Sequence, residues 1–288
     1  MSVVVVTDST ASLPSEVADA HGIVVVPLQV VIGADVFDEG SPEATPERVA
    51  AALREFRPVS TSRPSPAAFV DLYARLARGG AKQILSVHIS GDMSGTFESA
   101  QLAARDAEVR VVCVDSRQVG AATGYAALAA ADVVGMDGSV EQAADAARAR
   151  AGACSSYFYV DTLEYLRRGG RIGAAAALLG GALAVKPLLS IDHGTVSSLE
   201  KVRTSGKALA RLAELAVTAA GDAQVDVCVA HLASPDRAET LAEQLGQRLA
   251  DNLSDSMGSR EVWCAEVGAV LGAHVGPGMI AVCVAPRT

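Results

Sequence analysis

A two-domain α/β fold is what this sequence predicts, and three observations predict it. The chain has 288 residues, more than one domain usually holds. Valine- and isoleucine-rich runs alternate with helical stretches through the first half, which favours a mostly parallel sheet with helical crossovers. In the second half strand-like runs adjoin one another across tight-turn residues, which favours an α/β domain containing antiparallel strand pairs. The expected division is 1–152 and 153–288, with a helix over 139–151 as the bridge.

Each element has its own signal. Val3–Thr7 is a continuous apolar strand, and Ser12 is placed to cap a helix whose first turn accepts Pro14. Val24–Ile32 supplies a second strand region. Thr45-Pro46 and Ser65-Pro66 each set a capping hydroxyl before a proline at the first helical position. Ile84–His88 and Val109–Val114 flank a helix beginning near Ser94, and Ser139 with Gln142 forms a capping pair for the bridge helix. Beyond it, the strand Ser156–Val160 precedes an arginine-rich helix within Leu163–Ile172 and an alanine-glycine segment, 173–185. Asp192-His193-Gly194 reads as a hairpin turn between Leu188–Ile191 and Val196–Val202. Helices at 205–220 and 235–254 flank Val225–His231, and Trp263–Val267 and Met279–Val284 complete the pattern. The segment Gly272-Ala273-His274-Val275-Gly276-Pro277-Gly278 is too rich in glycine for a simple packed helix, so a loop is expected there.

Composition narrows the function. With 24 basic and 33 acidic residues the formal charge is −9, an average field that repels nucleic acid yet leaves room for a local anion site. The five cysteines lie mostly in apolar runs without the close spacing of a disulfide or zinc framework, so reduced thiols are expected. No basic leader precedes Val3, and the apolar segment 173–185 is too short to span a bilayer and runs into Lys186-Pro187. A cytoplasmic protein is expected, compatible with transient membrane contact but not with insertion.

Candidate site residues cluster where strands end. Thr7-Asp8-Ser9-Thr10 puts a carboxylate and three hydroxyls in one loop, a group that caps helices as readily as it faces a ligand. Thr61-Ser62-Arg63 precedes a helix start, and Ser90-Gly91-Asp92-Met93-Ser94-Gly95-Thr96 repeats that logic, with Gly91 and Gly95 permitting close backbone approach. Each loop alone reads as a cap; together they could wall one carboxylate-binding site. Arg203 offers a cation after a strand, with a solvated surface arginine as the competing reading. His274 offers an imidazole to a carboxylate or hydroxyl.

Several chemistries fail on context. Gly276-Pro277-Gly278-Met279-Ile280-Ala281 fits the loose dinucleotide pattern but precedes a strand instead of opening a helix. Gly206-Lys207 lacks the upstream glycine of a phosphate loop, and neither a G-x-S-x-G elbow nor an H-E-x-x-H site is present. The five histidines are dispersed, against a metal site. A small-molecule hydrolase or transferase built on Asp8, Ser94 and His274 remains a rival that spacing alone does not decide.

The chain resembles the DegV family of bacterial lipid-binding proteins over essentially its whole length. The resemblance rests on Thr7-Asp8-Ser9-Thr10, Thr61-Ser62-Arg63-Pro64-Ser65-Pro66, Ser94-Gly95-Thr96 with Ser99-Ala100, and Asp115-Ser116. It continues through Leu163–Ile172, Lys186-Pro187-Leu188-Leu189, Arg203-Thr204 and His274-Val275-Gly276-Pro277-Gly278. It implies a two-domain DegV-like fold with a long-chain fatty acid in a tunnel between the domains, no intrinsic cofactor and no intrinsic catalysis. It also implies a separate fatty acid kinase, which brings ATP and magnesium and makes an acyl phosphate for phospholipid synthesis. The matching positions nominate Thr61, Ser62, Ser94, Gly95, Arg203 and His274 for the ligand, with Asp8, Ser9 and Thr96 in support. Arg167, Arg168 and Arg171 would face the kinase. A lipid-sensing regulatory protein is a further alternative. Two departures from the family pattern, Arg63 and the stretch His88–Met93, are expected to act on the cavity rim or the partner surface.

Overall fold

In the computed structural model, residues 2–178, 186–253 and 261–287 are described. The first half contains β1 (Val3–Asp8), α1 (Ser15–Ala20), β2 (Ile23–Val26), β3 (Gln29–Ile32), β4 (Asp35–Asp38), α2 (Pro46–Arg54), β5 (Val59–Ser62) and α3 (Pro66–Arg78). There follow β6 (Gln83–His88), α4 (Thr96–Ala104), β7 (Arg110–Asp115), α5 (Ala121–Gly135) and α6 (Val140–Ala153). The second half contains β8 (Ser155–Tyr159), α7 (Glu164–Arg168), β9 (Lys186–Asp192), β10 (Thr195–Val202) and α8 (Ser205–Ala220). It ends with β11 (Val225–His231), α9 (Pro235–Arg248), β12 (Trp263–Glu266), α10 (Ala269–Val275) and β13 (Ile280–Pro286).

Two compact units result, and neither is continuous in sequence. One comprises Met1–Gln29 with Ser62–Ala153, the other Val30–Thr61 with Cys154–Thr288. A single cut at 152/153 therefore misassigns Val30–Thr61. That segment belongs with the C-terminal residues because Val30, Ile32, Val49 and Leu53 bury against Ala269 and Ala273 of α10.

In the first unit, four parallel strands run in the order β2-β1-β6-β7. Continuous apolar runs suit strands covered on both faces. Phe69, Leu72 and Tyr73 of α3 and Ala100 of α4 close one core over Val6 and Ile84. Helix α5, which carried no sequence signal, is capped by Gly120 without a side-chain bond and is buried along most of its alanine-rich length. The predicted caps form elsewhere: Ser65 accepts from the Ala68 N–H, and Ser139 and Gln142 exchange bonds. Ser12 does not cap α1. Asp8 instead caps a single 3-10 turn, Ser9–Ala11, and Ser12 ends it in the left-handed region at φ 53°. Nor is Val24–Ile32 one strand. Pro27 has no N–H for a ladder, and the Leu28 N–H donates to Ser9 Oγ at 3.0 Å, so the chain leaves the parallel sheet there.

The second unit holds a six-stranded sheet, β10-β9-β8-β13-β11-β12, in which only the β11–β12 pairing is parallel. His193 and Gly194 both take positive φ, 48° and 85°, the two-residue turn that matches the strand twist. One sheet face packs Tyr159, Val227, Val229 and Val282 against Leu212 of α8 and Leu241 and Leu245 of α9. The other gathers Phe158, Leu189, Leu232 and Met279. A separate three-stranded sheet, β4-β3-β5, carries Thr61 near the end of its edge strand. Helix α9 stops at Arg248, short of the predicted 254, which lies outside the described residues together with 179–185 of the alanine-glycine segment. The described residues include no helix long and apolar enough to cross a membrane.

Candidate carboxylate site

His274 lies in helix α10, where a loop was expected. Glycine serves that helix at three points. Gly268 leaves room for the Glu39 carboxylate, which accepts from the Val270 N–H at 2.7 Å. A Cβ on Gly272 would stand 3.2 and 3.4 Å from the Leu232 methyls, so its absence allows tight packing. Gly276 ends the helix at φ 73°, against the Tyr165 ring.

Strand β5 delivers Thr61 to that helix, and Thr61 Oγ1 lies 2.8 Å from His274 Nε2. His274 Nδ1 is buried against Gly169 and has no hydrogen-bond partner among the described residues. A proton on Nδ1 would have no acceptor, so we assign the proton to Nε2, which donates to Thr61 Oγ1. The Thr61 hydroxyl hydrogen is thereby free for a ligand oxygen. Burial, and next the Arg171 charge, push the His274 pKa down to about 4, so the imidazole is neutral at physiological pH.

The pair opens on a cleft of about 510 Å³ within the second unit. Its walls include Phe56, Arg57, Tyr165, Arg168 and Arg171, and among the described residues no aspartate or glutamate lines it. Phe56 is 80% exposed. Helix α7 ends at Gly169, and Gly170 turns back at φ 70°, which lets the Arg171 N–H reach the Leu166 carbonyl at 2.9 Å. The Arg171 guanidinium then donates to the Gly169 carbonyl at 2.6 Å. Arg167 and Arg168 both pair with Glu164, holding its exposed carboxyl down at about 2. Arg167 does not line the cleft, and neither does Arg203, which is exposed after β10.

In the first unit, Ser94 Oγ lies 2.8 Å from Thr96 Oγ1 and accepts from the Thr96 N–H at 3.3 Å, which starts α4. A side chain on Gly95 would enter the space of the Arg63 guanidinium, which donates to the Gly95 carbonyl and to Glu98. Arg63 is thus committed to the start of α4. Ser62 is exposed, its hydroxyl donating to the Arg63 carbonyl at 3.3 Å.

Asp8 is fully buried. Its Oδ1 accepts from the Thr10 N–H and hydroxyl, and its Oδ2 from His88 Nδ1 at 2.9 Å and the Ile89 N–H at 3.0 Å. The chain of bonds runs on from His88 Nε2 to Ser86 Oγ at 2.7 Å, and Tyr73 donates to Ser86 at 2.9 Å. A Ser–His–Asp relay therefore exists at Ser86, His88 and Asp8, sealed in the core with the edge of an aromatic contact from Phe69 at 5.1 Å. It ties β1 to β6 beneath the loop that carries Ser94. His88 is thus a core residue, where a rim position was expected. The hydrolase reading loses its acid, because every lone-pair direction Asp8 needs is already used and His274 Nδ1, the atom a triad would pair with a carboxylate, has no partner.

Sequence reasoning missed Arg57, Tyr165 and Gly169. Tyr165 and Gly169 both lie in the Leu163–Ile172 run, which was read for its arginines alone; Arg57 reaches the cleft through tertiary placement. Among the described residues no cluster of His, Cys, Asp or Glu is suited to hold a metal.

Comparison with known proteins fits this architecture. A DegV domain-containing protein of Streptomyces coelicolor is 50% identical over 285 residues, covering 99% of each chain. A solved Thermus thermophilus structure, described as fatty acid binding of a DegV family protein, matches with a TM-score of 0.90 and 32% identity over 100% of both chains. Bacillus subtilis DegV, described as a fatty acid binding protein, matches with a TM-score of 0.89 and 31% identity over 100% of both chains. The model of the family described as "uncharacterised protein, DegV family" matches residues 2–287, and the chain belongs to the DegV family.

Proposed function

We propose that this protein binds a long-chain fatty acid and presents its carboxylate to a separate ATP-dependent fatty acid kinase, which forms an acyl phosphate for phospholipid synthesis. The observation that carries the reading is the Thr61–His274 pair, a neutral donor relay at a cleft whose described lining holds no acidic side chain. Such a site suits one carboxylate. Thr61 and His274 act as neutral donors to its oxygens, while binding strength comes from the tail. For a tail of about sixteen carbons, burial of the methylenes contributes roughly 10 kcal/mol before binding penalties. The described structures of the Thermus and Bacillus relatives support the ligand class.

Thr61 donates to the carboxylate and His274 orients Thr61. Ser94, Gly95, Ser62 and Arg203 are assigned to the ligand on the family motifs alone, with Asp8, Ser9 and Thr96 supporting their loops. Arg171, with Arg167 and Arg168, offers an exposed cationic face to the kinase in the cytoplasm. ATP, magnesium and the transition-state stabilisation of phosphoryl transfer belong to that partner.

Native purification, denaturation and mass spectrometry of the released lipid test the first half; a folded protein that neither carries nor takes up any fatty acid would overturn it. For the second half, Ser94→Ala should weaken lipid retention, whereas Arg171→Ala should keep lipid and lower kinase-dependent turnover. Equal lipid loss from both variants would defeat that division of roles.

A further inference from the structure

Four of the five cysteines belong to the second unit, and all five are free thiols. Cys283, in the middle of β13, stands opposite Cys228 of β11 on one side and Ser156 of β8 on the other. Residues opposite one another across a sheet point to the same face, and so do residues two apart along a strand. Cys154, two residues before Ser156, therefore returns to the face of Cys283, where the two thiols meet in a hydrogen bond. Cys264 pairs with Val229 and packs on the opposite face.

The two partners differ in access. Cys154 lines a second cleft, whose described walls also include Ser155, Ser156, Ser190, Asp192 and Ser197, whereas Cys283 lies behind it in the sheet. None of its described lining residues is shared with the cleft at Thr61. The volume, about 440 Å³, is many times the roughly 30 Å³ share of one water molecule, and the hydroxyl-rich wall suits a small polar reactant. The hydrogen bond with Cys154, and next burial, push the Cys283 thiol well above its ordinary range. Cys283 thus keeps its proton and donates, and the Cys154 sulfur accepts. Of the pair, Cys154 is both the thiol on the cleft wall and the one that ionises first.

We propose that Cys154 and Cys283 form an oxidant-reactive dithiol site, which a hydroperoxide entering this cleft converts to a disulfide. The Cys154 thiolate attacks one peroxide oxygen, the O–O bond breaks, and the departing hydroxide takes up the thiol proton as water, leaving a sulfenic acid on Cys154. Cys283 then attacks the Cys154 sulfur. The S–S bond forms, the S–O bond breaks, and the hydroxyl leaves with the Cys283 proton as a second water. The two sulfurs lose two electrons, which reduce the peroxide to water. The site is independent of the Thr61–His274 pair and of the fatty-acid reading.

The full-length protein, freshly reduced and freed of reductant, is treated with hydrogen peroxide in native buffer. It is then unfolded, blocked with N-ethylmaleimide, digested and read by mass spectrometry. One intramolecular linkage is expected, Cys154 to Cys283, reversed by dithiothreitol, with Cys113, Cys228 and Cys264 still alkylated. Cys154→Ser should slow consumption of the Cys283 thiol by about tenfold, since the attacking sulfur is gone. Cys228→Ala should leave the linkage intact. The wild-type result stands whether or not a variant folds. Five alkylated cysteines after peroxide, a Cys154 that stops at sulfinic acid, or a Cys228–Cys283 linkage would each overturn the site. So would the same mixture of linkages from native and urea-unfolded protein, because the fold would then play no part in choosing the pair.

Discussion

Protonation of His274 is the sharpest handle on the site. The imidazole pKa is pushed from 6.5 down to about 4, by burial first and the Arg171 charge second. As pH falls below about 6.5 the unfolded chain takes up a proton at this residue, while the folded chain stays neutral until about 4. The sign follows directly: nothing is lost above that window, and stability falls as the pH drops through it. At about 1.4 kcal/mol per pH unit, the full window amounts to about 3 kcal/mol. His274→Gln keeps an N–H for Thr61 and removes the titration. Urea unfolding of both proteins from pH 7 to 4 should show the wild type losing about 3 kcal/mol more than the variant, since the carboxylates they share cancel in the difference. Parallel losses, within about 0.5 kcal/mol, would refute the assignment of a neutral, buried imidazole.

Other changes act on geometry instead of charge. Thr61→Val preserves shape and removes the donor, so fatty-acid affinity measured by fluorescent displacement should fall about tenfold to a hundredfold, as for a lost hydrogen bond to a charged group. Gly169→Ala is compatible with the local backbone, at φ −72°, but its Cβ would stand in the space of His274 Nδ1. Lipid affinity should therefore drop about tenfold with a stability change below about 2 kcal/mol, whereas unchanged affinity would show that His274 does not set the position of Thr61. Asp8→Asn turns a donor toward the His88 and Ile89 N–H groups, and should destabilise the protein by about 3 kcal/mol in urea unfolding, because buried donors lose their acceptor.

Much of the fold was legible in residues that act locally. Ser65 before Pro66, Ser139 with Gln142, and His193-Gly194 each specify a cap or turn within four residues, and each forms. Helix α5 was not legible, because a buried alanine helix needs no polar stripe and Gly120 caps it without a side chain. Helix α10 was misread because its glycines are there for the neighbours, Glu39, Leu232 and Tyr165, that lie far away in sequence. In the site, Thr61 and His274 were named from motifs, but their direct pairing across 213 positions was not deducible. For Asp8 the sequence left capping and ligand contact both open; it caps Ser9–Ala11, and its second partner, His88, was not deducible because only the register of neighbouring strands brings the two together.

The affiliation of Val30–Thr61 with the C-terminal residues has a consequence for biosynthesis. The helix that packs on Val30, Ile32, Val49 and Leu53 begins at Ala269, far downstream of this segment in the order of synthesis. Until α10 is made those apolar side chains lack Ala269 and Ala273, while Ser62–Ala153 can already complete the parallel sheet with β1 and β2. Maturation of Thr61 therefore waits for α10, which carries its partner His274. Nascent chains arrested before α10 should hold a folded parallel-sheet unit and a protease-sensitive Val30–Thr61, and fatty-acid capture should begin only once α10 has been made.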